Sequence, residues 1–174
     1  WLGTSFCSRR NSCRSSINIS KELNKNWYEM RKIGYYIKNG FNKIGFLTIN
    51  KPDKLRERKH GVYFIGDAPK SKGVYILAKG ESVLKFGDTN ASEGMHSRIT
   101  MYLSNSESTN LYVRENLFKD VIYDVYFYEI IPEFVTFMGL KVEQSMSPRS
   151  LEKELIEEFI NFTGMLPELN KINK

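Results

Sequence analysis

Short runs of β-branched and aromatic residues, separated by turn residues, dominate the middle of the chain. Residues 73–78 and 82–86 are two such apolar runs, and the Lys-Gly-Glu turn at residues 79–81 between them is a hairpin signal. A third run over residues 121–131 is equally rich in strand-forming residues. These three runs predict a small three-stranded antiparallel sheet, and residues 44–49 predict a separate short strand.

Helical patterns occur on both sides of these runs. A helix is expected over residues 21–38, and a shorter one over residues 96–104. The clearest helix covers residues 148–162, where Ser147 is a suitable N-cap and Pro148 suits the first turn. Helices that flank a small antiparallel sheet make the predicted fold class α+β.

One acidic residue lies on the apolar face of this last helix. At about 100° per residue, Leu155 and Phe159 share a sector with Glu152, whereas the other glutamates point away. A carboxylate on a buried stripe is costly unless it is paired or holds a metal. Glu152 is therefore expected either to bond a neighbouring Arg or Tyr or to act as a metal ligand.

The composition is that of one globular domain. Of 174 residues, 41% are hydrophobic and 26% are charged, and no apolar run reaches the roughly 18–20 residues that span a bilayer. We therefore expect no membrane partner. The two cysteines, Cys7 and Cys13, are too few for a disulfide framework and lack partner ligands at zinc spacing. A reducing compartment is favoured, and we expect a cytoplasmic location.

Positive charge is concentrated in the first third of the chain. Residues 1–60 contain 14 Lys and Arg against four Asp and Glu, whereas the remainder contains 12 against 16. A basic face on a mildly acidic body favours nucleic acid as the partner, with a merely solubilising surface as the alternative. The candidate DNA-binding residues are Arg31, Lys32, Lys54, Arg56, Arg58 and Lys59.

The predicted hairpin begins an ordered set of motifs. Gly73-Val74-Tyr75 is followed by Lys85-Phe86-Gly87, then by Arg98 with Tyr102 four residues later, by Glu152, and by Asn170 near the C terminus. This set resembles the GIY-YIG nuclease family over residues 61–174. The resemblance implies a small GIY-YIG-like sheet with both triplets on adjacent strands, a helix presenting the arginine, and a later helix presenting a metal-binding glutamate.

Two features qualify this resemblance. Lys85 stands where the family usually has a tyrosine, which is similar to a variant found in type II restriction endonucleases of the family, as is the tyrosine at position 102. A second Gly-Val-Tyr at residues 61–63 also allows a rival frame that begins at Tyr63. That frame puts Leu77 in place of the second triplet's glycine, so we prefer the frame beginning at Tyr75 and expect Tyr63 in the core or a flanking strand.

The resemblance implies a role for each motif residue. Tyr75 would act on the attacking water, while Lys85 would either lower the pKa of Tyr75 or orient that water. Arg98 offers a planar fork that matches phosphate oxygens, and Tyr102 lies on the same helical face and could bind the scissile phosphate. Glu152 would hold Mg²⁺, for which Mn²⁺ is a substitute, and no small-molecule cofactor is expected beyond the metal.

Four further residues have weaker assignments. Gly87 and Asn170 belong to the motifs as supporting residues. His96 lies close to Arg98 in sequence and is a candidate for contact with DNA or the metal, although a surface histidine is the plainer interpretation. Asp88 follows Gly87 directly and is expected to cap a turn, with a supporting position behind the site residues as the alternative.

These expectations combine into one predicted organisation. Residues 1–20 would be a basic, poorly ordered arm, residues 21–60 a basic extension with a helix and a strand for DNA binding and specificity, and residues 61–174 the nuclease core. The leading hypothesis is a metal-dependent endonuclease that cuts double-stranded DNA, most similar to a type II restriction endonuclease and acting as a homodimer or by binding twice. The alternatives are a mobile-element or repair-type nicking nuclease of the same family and a non-catalytic nucleic-acid-binding domain.

Overall fold

The computed structural model describes residues 29–48, 61–90, 94–103, 109–117, 121–138, 140–143 and 146–171. The predicted arm at residues 1–20, most of the first predicted helix, both cysteines and the basic linker around residues 49–60 lie outside the described residues. The described part is an α+β fold, as the hydrophobic pattern predicts.

The central sheet has five strands, so the prediction of a three-stranded sheet was too small. Its strands are β1 (Asn42–Thr48), β2 (Val62–Phe64), β3 (Gly73–Lys79), β4 (Ser82–Thr89) and β5 (Ile122–Glu129), in the order β2-β1-β5-β3-β4. All four neighbouring pairs are antiparallel. The strand expected at residues 44–49 thus joins the main sheet as β1, because it pairs with β5 along most of its length. A separate hairpin pairs β6 (Phe134–Phe137) with β7 (Leu140–Glu143).

Four α-helices flank the sheet within the described residues. They are α1 (Ile33–Lys38), α2 (Gly94–Thr100, extended by a 3₁₀ turn over Met101–Leu103), α3 (Thr109–Asn116) and α4 (Pro148–Thr163). Helix α4 begins where the sequence predicts, since Ser147 accepts a hydrogen bond from the Ser150 amide and Pro148 fills the first turn. Helix α1 is only six residues long, because a turn and a backbone bridge from Lys32 to Ser82 precede it.

The sheet buries apolar residues on both faces. One face packs Tyr75 and Leu77 of β3 against Ile99 and Tyr102 of the α2 segment. The opposite face packs residues of β3 and β4 against α1 and α4, with Phe159 of α4 at its centre. Because side chains alternate along a strand, neighbouring residues of β3 serve different helices. Helices α2 and α4 therefore pack on opposite faces of the same part of the sheet.

Strand β4 forms one edge of the sheet, and the C-terminal segment covers part of it. The amide of Leu169 donates to the Leu84 carbonyl, while the Asn170 side chain accepts from the Phe86 amide at 2.9 Å and donates to the Phe86 carbonyl at 3.0 Å. Asn170 therefore satisfies both backbone groups that an edge strand leaves unpaired at Phe86. This contact anchors the C-terminal segment to β4 at Phe86, between the motif residues Lys85 and Gly87.

Candidate active site

Tyr75 and Gly87 face each other across the hairpin. They are directly paired in the β3–β4 register, and the Tyr75 side chain is completely buried. A Cβ atom at position 87 would lie 2.2 Å from the phenol oxygen of Tyr75, which no real contact allows. Glycine is thus required at position 87 because the tyrosine ring lies directly over it. This explains in physical terms why the two motifs occur together.

The Tyr75 hydroxyl is held by groups from the α2 segment. It forms a short hydrogen bond with the Tyr102 hydroxyl, and the Arg98 guanidinium lies within hydrogen-bonding reach of it. Both partners come from one turn of helix and its 3₁₀ extension, as their spacing of four residues predicts. Tyr102 is 1% exposed and directs its hydroxyl at Tyr75, so it orients that phenol rather than standing free at the surface.

Arg98 is the cation with the largest effect on the pKa of Tyr75. Burial raises the pKa of Tyr75 to about 12, while the positive charge of Arg98 and the hydrogen bond from Tyr102 oppose that rise without cancelling it. Lys85 is not among the groups that shift this pKa, and its alternative role of orienting the water stays a prediction. The Nε atom of Arg98 is also buried and has no hydrogen-bond partner in the described part of the chain. A buried donor without a partner is well suited to receive an anionic ligand.

Lys85 and Glu152 lie near the edge strand β4, and each affects the pKa of the other. Lys85 is 4% exposed, and burial lowers its pKa to about 8, against the opposing charge of Glu152. Burial raises the pKa of Glu152 to about 7, the nearby Asp88 carboxylate adds to the rise, and Lys85 opposes it. Both shifts arise mainly from desolvation, which penalises each charge and makes an added counter-charge favourable. Perturbed pKa values of this kind are typical of functional sites.

Asp88 joins the two halves of this cluster. Its carboxylate lies 3.6 Å from Nη2 of Arg98, and its negative charge adds to the rise that burial causes in the pKa of Glu152. It was expected to cap a turn, but it lies within β4 and pairs with Val74. Its place directly after the second triplet was the one sequence signal for this position. Its neighbours Arg98 and Glu152 lie on other elements, so the sequence pattern did not show that the three side chains meet.

The donor set fits a hard divalent cation. Mg²⁺ is usually held by one or two carboxylates together with water and substrate phosphate, and Glu152 and Asp88 supply two adjacent carboxylates here. No group of three or more His, Cys, Asp or Glu residues that could form a closed metal site occurs in the described ranges. An open site with few protein ligands suits a metal that also binds substrate.

The remaining predicted site residues lie in other surroundings. His96 is exposed and packs its ring against Phe64 of β2, with centroids 5.9 Å apart. Arg31 donates to the Thr163 carbonyl at 3.0 Å, and Lys32 forms an ion pair with Glu81 at 3.0 Å, so both cations already contact the protein itself. The other predicted DNA-binding residues, Lys54, Arg56, Arg58 and Lys59, are outside the described residues.

The rival motif frame is placed far from this cluster. Tyr63 lies on β2, at the sheet edge opposite β4, and stacks on Phe46 of β1 with ring centroids 4.7 Å apart. It is a flanking-strand residue, which agrees with the frame that begins at Tyr75.

Comparisons with known proteins give little beyond this geometry. No family model and no curated protein matches the sequence. A solved structure of the restriction endonuclease HPY188I in complex with product DNA is similar, at a TM-score of 0.48 and 19% identity, over 94% of this chain and 96% of that chain. No helix in the described ranges has the length and apolar character needed to cross a membrane.

Proposed function

We propose that this protein is a metal-dependent DNA endonuclease of the GIY-YIG kind, most similar to type II restriction enzymes. One observation carries the proposal: four separate segments bring a phenol pair, a guanidinium, an amine and a carboxylate together at strand β4. These groups belong to Tyr75, Tyr102, Arg98, Lys85 and Glu152. Burying charged groups together costs free energy of folding, so a cluster of this kind is more typical of a functional site than of a packed core.

Arg98 is assigned to the scissile phosphate. Its guanidinium is permanently charged, matches phosphate oxygens as a fork, and retains a buried Nε donor without a partner in the described residues. A fixed cation at this position stabilises the charge that accumulates on the phosphorus oxygens during attack. Arg98 thereby performs both binding and transition-state stabilisation.

Tyr75 is assigned to the attacking water, with Tyr102 fixing its hydroxyl through their hydrogen bond. With its pKa raised to about 12, the Tyr75 phenol holds its proton at neutral pH before substrate binds. Lys85, with a pKa lowered to about 8, is partly neutral near physiological pH and is the better proton acceptor of the two. We therefore assign orientation of the water to Tyr75 and proton transfer to Lys85.

Glu152 is the residue that would hold Mg²⁺ or Mn²⁺. Such an ion supplies charge neutralisation and lowers the pKa of bound water. The raised pKa of Glu152 shows that its carboxylate lacks full compensation from Lys85 and Arg98. A cation at this position would relieve that deficit, since it restores the charge balance of the buried carboxylate.

Double-stranded DNA is the proposed substrate, and the basic first third of the chain is the proposed source of affinity. Phosphate contacts from lysine and arginine give binding that weakens as salt rises. One such site per chain cuts one strand, so double-strand cleavage requires a homodimer or two successive binding events. A nicking enzyme would use the same site without this requirement.

Cleavage of a defined phage genome in Mg²⁺, followed by sequencing of the fragment ends, tests the proposal directly. Supercoiled plasmid in parallel separates nicked from linear product. Glu152→Ala should abolish cleavage while DNA binding in Ca²⁺ persists, and Glu154→Ala, an exposed glutamate on the same helix, should cut normally. Retained cutting by Glu152→Ala would exclude Glu152 as the metal ligand. Salt-sensitive binding without any product in Mg²⁺ or Mn²⁺ would instead favour a non-catalytic binding domain.

A further inference from the structure

A cavity of about 680 Å³ lies on the face of the sheet opposite Tyr75. Helix α1, the end of β5 with the residues that follow it, and helix α4 form most of its walls. Its volume is within the range of about 300–1,000 Å³ that is usual for small-molecule sites. No residue assigned above to the endonuclease site lines this cavity, so it calls for a separate explanation.

Four aromatic side chains line this cavity in a continuous arc. Ring centroids are 5.2 Å apart for Tyr35 and Tyr36, 5.8 Å for Tyr36 and Phe41, and 5.4 Å for Phe41 and Tyr128. The interplanar angles along the arc are 83°, 87° and 36°, so ring faces as well as ring edges border the space. Because the face of an aromatic ring is electronegative, such an arc attracts cations.

Three glutamates add negative charge to the same cavity. They are Glu129, Glu133 and Glu158, and no Lys or Arg is among the described residues that line it. Within the described ranges none of the three forms an ion pair. In a chain with a net charge of +6, a cavity with three carboxylates and no cation has the opposite polarity to a phosphate site. The cavity therefore favours a positively charged ligand.

Glu158 and Tyr36 connect the carboxylates to the aromatic arc. Burial raises the pKa of the Tyr35 and Tyr36 hydroxyls, and the negative charge of Glu158 raises both further, so this carboxylate lies near both phenols. Tyr36 is 1% exposed, and its hydroxyl has no hydrogen-bond partner in the described residues. The wall thus combines ring faces, carboxylates and a free hydroxyl acceptor, all of which can bind an ammonium group.

The apolar part of the lining distinguishes an organic cation from a metal ion. Ile130, Leu151 and Leu155 contribute side chains that stabilise methylene groups, whereas a hydrated inorganic ion gains nothing from them. A single ammonium would also leave two of the three carboxylates without a counter-charge. A linear polyamine carries several ammonium groups separated by methylene spacers, so it matches both parts of the lining at once.

We propose that this cavity binds a linear aliphatic polyamine, with its ammonium groups at the carboxylates and ring faces and its methylene groups against the apolar wall. Glu158 binds one ammonium group, and the Tyr128 ring contacts the ligand through its face. The proposal is independent of DNA cleavage, because the cavity and the endonuclease site share no residue.

Isothermal titration calorimetry of the full chain with spermidine, at low salt and without DNA or metal, tests the proposal. Glu158→Gln removes one carboxylate from the cavity, and Glu154→Gln is its matched control, because Glu154 is an exposed residue of the same helix that does not line the cavity. Tyr128→Leu removes one ring, whereas Tyr128→Phe retains it. Thermal unfolding shows which of the four variants fold like wild type.

Wild type should bind about one spermidine per chain with a Kd below about 1 mM, and should bind propylammonium at least about tenfold more weakly. Glu158→Gln should weaken spermidine binding by about threefold or more. Tyr128→Leu should weaken it by about three- to thirtyfold, since one cation–π contact is lost. Glu154→Gln and Tyr128→Phe should both stay within about twofold of wild type.

Three results would overturn the assignment. The first is a wild-type protein that binds no spermidine below about 10 mM. The second is equal weakening by Glu158→Gln and Glu154→Gln with none from Tyr128→Leu, which would show attraction to the charge of the helix and not to the cavity. The third is tighter binding of a trilysine peptide than of spermidine, which would assign the cavity to a basic protein partner. If Tyr128→Leu does not fold, the comparison of Glu158→Gln with Glu154→Gln decides.

Discussion

Two tyrosines are buried almost equally on opposite faces of the sheet, yet their hydroxyls have opposite surroundings. Tyr36 is 1% exposed and is packed edge-on against Phe41 and Phe86, with centroid distances of 5.8 Å and 5.3 Å. Its hydroxyl has no hydrogen-bond partner in the described part of the chain. Tyr75 is 0% exposed, but its hydroxyl bonds to Tyr102 and lies beside a guanidinium.

The comparison separates packing from chemistry. Burial raises the pKa of both phenols, for Tyr36 well above its usual range and with the charge of Glu158 adding to the rise. Around Tyr36 the rings packed against it are aromatic side chains, which is the ordinary use of a large side chain in a core, and Glu158 acts only through its charge. Around Tyr75 the neighbours are charged groups that cost free energy to bury. The surroundings of Tyr75, unlike those of Tyr36, are therefore not explained by packing of the core alone.

The largest expected difference between the two tyrosines is in catalysis. Tyr75→Phe should reduce the cleavage rate by about 100-fold or more, because it removes the hydroxyl that orients the attacking water. Tyr36→Phe should leave that rate within about twofold of wild type, since its ring packing is preserved. Single-turnover cleavage of plasmid DNA measures both. Similar rates for the two variants would remove the distinction between the two tyrosines.

Moving the Tyr75 ring, rather than deleting its hydroxyl, should have the next largest effect. Gly87→Ala would place a Cβ atom 2.2 Å from the phenol oxygen, so the ring must shift. We expect about 1–3 kcal/mol of destabilisation and roughly 100-fold slower cleavage, which denaturant unfolding and kinetics measure.

A second glycine provides the control for this substitution. Gly34 lies in α1, and a Cβ atom added there would have no neighbour within 4 Å, so Gly34→Ala should stabilise the protein by about 0.5–1 kcal/mol. Equal effects of the two substitutions would contradict the close approach of Tyr75 to Gly87.

The charged region should also make stability depend on pH in a way that the aromatic region does not. The pKa of Glu152 is raised from 4.5 to about 7, so the folded state holds this proton more tightly than the unfolded chain. Its contribution to stability is full below pH 4.5 and is lost as pH rises through 7. In EDTA, wild type should therefore lose on the order of 1–2 kcal/mol relative to Glu152→Gln between pH 5 and pH 8.5, after allowance for solvent screening.

Urea unfolding at several pH values measures this difference. Glu154→Gln, which changes an exposed residue of the same helix, should give a profile parallel to that of wild type. A wild-type profile parallel to that of Glu152→Gln would show that Glu152 is not desolvated by its neighbours.

Local patterns predicted the elements that carry the site. The hairpin of β3 and β4 follows from two apolar runs around a Lys-Gly-Glu turn, and α4 follows from its cap and apolar stripe. The inward position of Glu152 is visible from helical periodicity alone. Each of these features depends on residues close together in the chain, where spacing determines which side chains share a face.

Long-range pairing was not predictable in the same way. Strand β1 joins β5 across about 80 residues, and nothing in either strand's own pattern names its partner. The ion pair of Asp88 with Arg98 depends likewise on a contact made only when α2 packs beside β4. The sequence patterns therefore predicted a three-stranded sheet and a separate strand at residues 44–49, whereas long-range pairing places that strand and β2 in one five-stranded sheet.

The smallest expected effect concerns the stability of the aromatic region. The Tyr36 hydroxyl is buried without a partner in the described residues, so it gains nothing to offset its desolvation. Tyr36→Phe should therefore leave stability unchanged or raise it by about 1 kcal/mol, as measured by urea unfolding. Tyr102→Phe, which leaves the Tyr75 hydroxyl without its bonding partner, should instead destabilise by about 1–3 kcal/mol. If Tyr36→Phe proved the more damaging, the Tyr36 hydroxyl would have to make a contact, and the contrast between the two faces would weaken.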